Sequence, residues 1–173
     1  IYTELEDYNL TNNMIERLMK RYKTPELVIE KVKNNPYILC TEVKGIGWAK
    51  ADAIAMAGGI GRFDPKRIGA YILYYLESCG QEGMSWITPD ELLGAIIEQL
   101  GEDVPDEPIT EAIHNIEDKL WWNKEKTQIG LKKYYVVEEK IAKELIRIMK
   151  AKPKVKSPDN WKDIIKDLEQ EQG

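Results

Sequence analysis

Side chains that do chemistry are scarce in this sequence of 173 residues, which has one histidine, His114, and two cysteines, Cys40 and Cys79. At helical spacing His114 has only Glu111 and Asp118 for company, so neither a zinc site nor a catalytic triad is expected. The cysteines sit in apolar surroundings without CxxC spacing. They read as buried thiols of a reducing compartment, which makes the expected location cytoplasmic. No GxxxxGK[ST] occurs: Gly58-Gly59-Ile60-Gly61 runs into Arg62-Phe63, with no Lys-Ser/Thr to hold a phosphate and magnesium. The chain itself is therefore expected to bind no nucleotide, to need no cofactor or metal, and to be no enzyme. Glu42-Val43-Lys44 and Glu138-Glu139-Lys140 lack the preceding strand-borne Asp that a metal-dependent nuclease needs. A composition of 43% hydrophobic and 32% charged residues excludes a membrane span and a collagen-like fibre, and no solenoid repeat is visible. The first residue is Ile1 and no targeting sequence precedes the folded pattern, so the sequence reads as a piece of a longer chain.

Basic residues are missing from one long stretch. Residues 80–118 hold eleven Asp or Glu and no Lys or Arg, whereas residues 119–156 hold twelve Lys or Arg against four Asp or Glu. The net charge is −5. Nucleic-acid binding is driven by phosphate neutralisation and counterion release, so an acidic total excludes a surface that coats nucleic acid all round. It leaves room for a local basic face, and 119–156 is the place for one. At this length a single core buries roughly 70% of the unfolded chain's surface, enough for one domain or two small ones.

What is abundant is helix. Leu10, Met14, Ile15, Leu18, Met19 and Tyr22 recur at three and four residues after a Thr11 cap. Thr24-Pro25 opens a second helix that Asn34-Asn35-Pro36 ends. Residues 36–43 form a short helix or turn, and Trp48 to Ala57 is a helix stopped by Gly58-Gly59. Asp64-Pro65 opens the next, through about Ser78. Thr88-Pro89-Asp90-Glu91 combines a cap, a first-turn proline and a capping-box glutamate ahead of Leu92, Leu93, Ile96, Ile97 and Leu100. After an acidic loop from Gly101 to Pro108, a helix is expected from Thr110 to Leu120. Trp121-Trp122 and Tyr134-Tyr135-Val136-Val137, either side of a polar stretch with Gly130, predict a β-hairpin. Helix resumes from Glu138 to Met149, a lysine- and proline-marked linker covers Lys150 to Pro158, and a last short helix spans Asp159 to Glu169.

The run Val43-Lys44-Gly45-Ile46-Gly47-Trp48-Ala49-Lys50-Ala51-Asp52-Ala53-Ile54-Ala55 carries the most information. Two glycines flanking one apolar residue make a tight turn between helices, with Ile46 directed into the core. The free N–H groups and dipole at the next helix N-terminus then form a sequence-independent phosphate site. Ala51 and Ala55 permit close helix packing. This is a helix-hairpin-helix pattern; a plain glycine-containing turn is the simpler alternative.

Together with Asn35-Pro36-Tyr37-Ile38-Leu39, Asp64-Pro65-Lys66-Arg67-Ile68, Leu73-Tyr74-Tyr75-Leu76, Glu82-Gly83-Met84-Ser85-Trp86-Ile87-Thr88-Pro89 and Lys133-Tyr134-Tyr135, that run resembles the N-terminal region of RecD/TraA-type DNA helicases, the branch that works without RecB and RecC. The resemblance spans about residues 10–149. Two departures from the family matter: Ala49 stands where a basic residue is usual, with the lysine shifted to Lys50, and Met84 stands where histidine is common.

 The first departure bears on the phosphate contact, because the lysine nearest the second glycine then sits one position further along the helix.

The resemblance implies a parent that moves 5′ to 3′ along single-stranded DNA with ATP and magnesium at a motor beyond this chain. The expected fold is mainly α: tandem helical hairpins including one helix-hairpin-helix, then a winged-helix-like unit with a small β-hairpin. Residues 1–80 would hold a degenerate hairpin (9–34) and the helix-hairpin-helix (36–58), residues 81–150 the winged-helix-like unit, and residues 151–173 a linker and short helix leading to the motor. DNA contacts are expected at Lys44, Gly45, Ile46, Gly47, Trp48 and Lys50, and at Lys124, Lys126, Lys132 and Lys133 on the tip of the predicted β-hairpin. Trp121, Trp122, Tyr134 and Tyr135 are either stacking faces for bases or core. The expected partners are single-stranded or forked DNA, the chain's own motor and a single-strand-binding protein, with no membrane. The rival reading is a docking module with little DNA affinity.

Overall fold

The computed structural model describes residues 10–42, 46–151 and 159–172, and the chain divides into two compact units, Ile1–Val136 and Val137–Gly173. In the first unit, α1 (Asn12–Tyr22) buries Ile15 and Leu18, and turns through Lys23 in the left-handed region at φ 68°. Thr24 caps α2 (Pro25–Asn34) by accepting a hydrogen bond from the Leu27 amide, and Pro25 occupies the first turn, where its missing N–H costs nothing. The short α3 (Ile38–Glu42) and α4 (Trp48–Ala57) flank the glycine turn. Asp64 caps α5 (Pro65–Gln81), which buries Ile68, Ile72, Leu76 and Cys79 along one side. This helix is the hub of the unit, packing on α4, on α6 (Pro89–Leu100), on α7 (Asp106–Asn115), and on two strands.

Those strands belong to a small antiparallel sheet of β1 (Trp86–Ile87), β2 (Leu120–Trp122) and β3 (Ile129–Leu131), in the order β1-β3-β2. Trp86 faces Gly130, and Leu120 faces Leu131. All three residues of the central strand are buried. Gly130 is required there by close approach: a Cβ would run into the Ser85 carbonyl of β1's lead-in.

The sheet corrects the predicted hairpin. Its second strand is Ile129–Leu131, and Tyr134 to Val137 lie in α8 (Lys132–Lys150), which starts six residues before the expected Glu138. Asn123 explains the shift. Its side-chain oxygen accepts from the Thr127 and Gln128 amides, and its own amide donates to the Gln128 carbonyl, so the turn closes at Gln128 and pairing begins at once. Tyr134 then donates to Glu77, and Tyr135 stacks on Trp121 at 5.0 Å, contacts that hold these strand-prone residues in a helix. A second correction concerns α7, expected over Thr110 to Leu120. It starts at Asp106, because acidic residues favour a helix N-terminus and Pro108 is tolerated in the first turn. It ends at Asn115, and a 3-10 turn over Glu117–Lys119 releases Leu120 into β2. β1 was not expected at all, since two residues carry no periodicity.

The second unit contains the remainder of α8 and α9 (Trp161–Gln172). Val137, Ile141, Leu145 and Ile148 on α8, and Trp161, Ile164, Ile165 and Leu168 on α9, are exposed. Among the described residues, no helix is long and apolar enough to cross a membrane.

Candidate nucleic-acid interface

The interface is built around the N-terminus of α4. Lys44 and Gly45, with Val43, lie outside the described residues. Ile46 and Trp48 are only 3% and 5% exposed, so their side chains anchor the turn from below. Trp48 therefore has only its amide to offer a ligand at the surface, its ring being buried. Between them Gly47 is exposed, with φ −85° and ψ 177°. That is extended backbone that any residue adopts, and a Cβ built there meets nothing within 4 Å. Neither backbone strain nor packing demands a glycine here. What its absent side chain leaves is open space in front of the first turn of α4.

The first hydrogen bond of that helix runs from the Ala51 amide to the Gly47 carbonyl. The amides of Trp48, Ala49 and Lys50 precede it and have no main-chain acceptor among the described residues. Three such donors at the positive end of a helix dipole form a phosphate-sized site. Lys50 is exposed beside them, its Nζ 3.9 Å from Met14 Sδ on α1.

A buried polar network fixes this helix from behind. Arg67 on α5 donates from Nε and Nη2 to the two Asp52 carboxylate oxygens, at 2.8 and 2.7 Å. Tyr37 donates its hydroxyl to the same Asp52 at 2.9 Å, while its ring stacks on Trp48 at 5.2 Å. Arg67 also donates to the Arg62 carbonyl, and Arg62 clasps Asp103 with both terminal nitrogens. Burial, reinforced by Asp52, pushes the Tyr37 hydroxyl far above its usual range, and hydrogen bonding to Asp52 raises Arg67. Sequence reasoning missed the network. Its trace was Asp52, the single acidic residue of the WAKADAIAMA helix, and Arg67 beside Ile68, fifteen residues apart.

The other expected lysines do not form one cluster at a hairpin tip. Lys124 and Lys126 are exposed on the β2–β3 turn, with Lys126 over the Trp122 ring at 5.1 Å. Lys132 and Lys133 instead open α8. Lys133 is paired with Glu77, which neutralises it. Trp121 and Tyr135 stack on each other, and Tyr134 is half-buried against α5, so these rings are engaged in packing. His114 is exposed beside Glu117, and among the described residues no group of three His, Cys, Asp or Glu is placed to hold a metal ion.

The surface thus offers, at the N-terminus of a helix backed by a buried ion pair, amides without a main-chain acceptor among the described residues. Residues 1–86 match the family model of the ATP-dependent RecD2 DNA helicase HHH domain. Over that segment the chain matches the N-terminal HHH region of a RecD-type helicase.

Proposed function

We propose that this chain is an accessory region of an ATP-dependent 5′-to-3′ DNA helicase and holds DNA by its backbone, without reading sequence, at the N-terminus of α4. The observation that carries the reading is the open space at Gly47 in front of three amides that have no main-chain acceptor among the described residues. ATP and magnesium belong to the motor in this reading, and DNA and the motor are the partners, which places the protein in the cytoplasm.

The order α5-β1-α6-α7-β2-β3, with sheet order β1-β3-β2, supports reading the following segment as winged-helix-like. In such a unit α7 would be the recognition helix, yet it presents Asp106, Glu107 and Glu111 to solvent. A helix entering a major groove needs donors and cations, so its role here is architectural. The exposed apolar stripes of α8 and α9 favour a second reading in which those helices dock on a protein.

Gly47→Ser tests the first reading. Serine is a better N-cap than glycine, so stability should hold or rise by a few tenths of a kcal/mol. The hydroxyl would occupy the amides and the open space, and affinity for forked or single-stranded DNA should fall about ten-fold, as expected for one lost charge-assisted contact. Fluorescence anisotropy at low and moderate salt, with thermal melting beside it, measures both. Unchanged binding by Gly47→Ser and by Lys50→Glu would remove the hairpin from the function.

A further inference from the structure

A groove of about 1200 Å³ crosses the first unit, bounded by the α2–α3 junction, α5, the end of α7 and the start of α8. Ala70, Leu73 and Tyr74 from α5 form its apolar floor, with Leu131 and Val136 opposite. Tyr74 is 39% exposed, and its ring lies 6.0 Å from Trp48, which steadies it from behind. The volume exceeds what a small-molecule pocket usually holds, so a polymer suits it better.

The charges around the groove are unusual for an acidic chain. Lys66 from α5, Lys119 from the 3-10 turn and Lys132 from α8 come from three distant parts of the sequence and line one groove. All three are exposed, and none has an ion-pair partner among the described residues. Of the two carboxylates present, Glu77 is neutralised by Lys133, which leaves Asp118. The polar wall is made of side-chain amides, including Asn34, Asn35 and Asn115. Each amide offers both donors and an acceptor, as base edges require.

We infer that this groove is a second nucleic-acid site, distinct from the helix N-terminus, and that it takes a single strand. Lys66, Lys119 and Lys132 hold its phosphates, and Tyr74 stacks on an unpaired base. A duplex keeps its bases inside and would leave the apolar floor unused, whereas an exposed aromatic ring beside cations suits a single strand. An acidic peptide would satisfy the lysines and, through its main chain, the amides, but its carboxylates give the exposed Tyr74 ring nothing to stack on. Tyr37 and Tyr74 both touch the Trp48 ring, so the groove begins one ring away from the α4 amides. The inference rests on the hairpin reading only for that continuity, and its test is separate.

The test titrates the whole chain with labelled oligothymidylate and with a blunt duplex, for wild type, Tyr74→Ala, Tyr74→Phe, the triple variant Lys66→Glu/Lys119→Glu/Lys132→Glu, and Gly47→Ser. Circular dichroism verifies folding. Tyr74→Ala should bind oligothymidylate about ten-fold more weakly, the loss of one base stack, and Tyr74→Phe should restore it. The triple variant should flatten the slope of log K against log salt by about 2, from roughly 0.7 per phosphate contact on a single strand. Duplex binding should be untouched by Tyr74→Ala. Oligothymidylate binding that is unaltered in folded Tyr74→Ala and in the triple variant overturns the groove site, and if Gly47→Ser still loses affinity the hairpin reading survives alone. Displacement of oligothymidylate from Gly47→Ser by a poly-glutamate peptide, with no effect of Tyr74→Ala, would assign the groove to an acidic protein segment instead.

Discussion

Asp52→Ala should lower the stability of this protein by about 3–5 kcal/mol, the usual cost of stranding one member of a buried ion pair. Asp52 and Arg67 are only 9% and 8% exposed. Without the carboxylate, Arg67 keeps a charge that burial penalises, and the Tyr37 hydroxyl loses its acceptor as well. Urea unfolding followed by circular dichroism measures the loss. The double variant Asp52→Leu/Arg67→Met, with Tyr37→Phe to remove the third polar atom, should recover most of it, because an apolar replacement of a whole buried network is often neutral. If Asp52→Ala alone costs under about 1 kcal/mol, the pair is solvated and the claim that it backs α4 fails. The consequence for function is directional. The same cluster holds the stacked Tyr37–Trp48 pair, so under the proposed function its loss should weaken DNA binding even though it lies behind α4.

Gly130→Val should cost about 3 kcal/mol, at the upper end for overpacking, and Gly130→Ala nearly as much. The expectation has a sign that separates it from propensity. Valine is the better strand former, so propensity alone would make the variant more stable by up to about 1 kcal/mol. Packing predicts the reverse, because the first carbon of any side chain meets the Ser85 carbonyl, and that is backbone that cannot rotate away. Thermal melting gives the sign. Amide exchange at Trp86 and Ile87 should rise in step, since β1 is the strand pushed off; a stabilised Gly130→Val protein would mean that β1 and β3 do not pair as described.

Much of the helical architecture was legible because its starts are marked by local chemistry. Thr24-Pro25, Asp64-Pro65 and the Thr88–Glu91 capping box each announce a helix within four residues, and all three form. The sheet was harder because its signals are weak or misleading. Gly130 dilutes the strand signal where the central strand lies, while Tyr134 to Val137 look like a strand and are held in α8 by Glu77 and Trp121. The hairpin glycines were visible as a motif. The Asp52–Arg67 pair and the three lysines of the groove were not, because their partners are set by tertiary packing between segments far apart in the chain.

Trp48 gives the molecule an optical reporter at the place where it matters. Its indole is buried between Tyr37 and Tyr71, with ring centroids 5.2 and 5.0 Å away, and its Nε1 has no hydrogen-bond partner among the described residues. Such an indole emits at the blue edge of the tryptophan range and collects excitation from both tyrosines. Trp86 and Trp161 are nearly half exposed and emit further to the red. Iodide or acrylamide should therefore quench those two first, the half-buried Trp121 and Trp122 next, and the blue-edge emission of Trp48 last. Because Trp48 is the first residue of α4, a ligand arriving at its amide perturbs that residual band without any label having been attached.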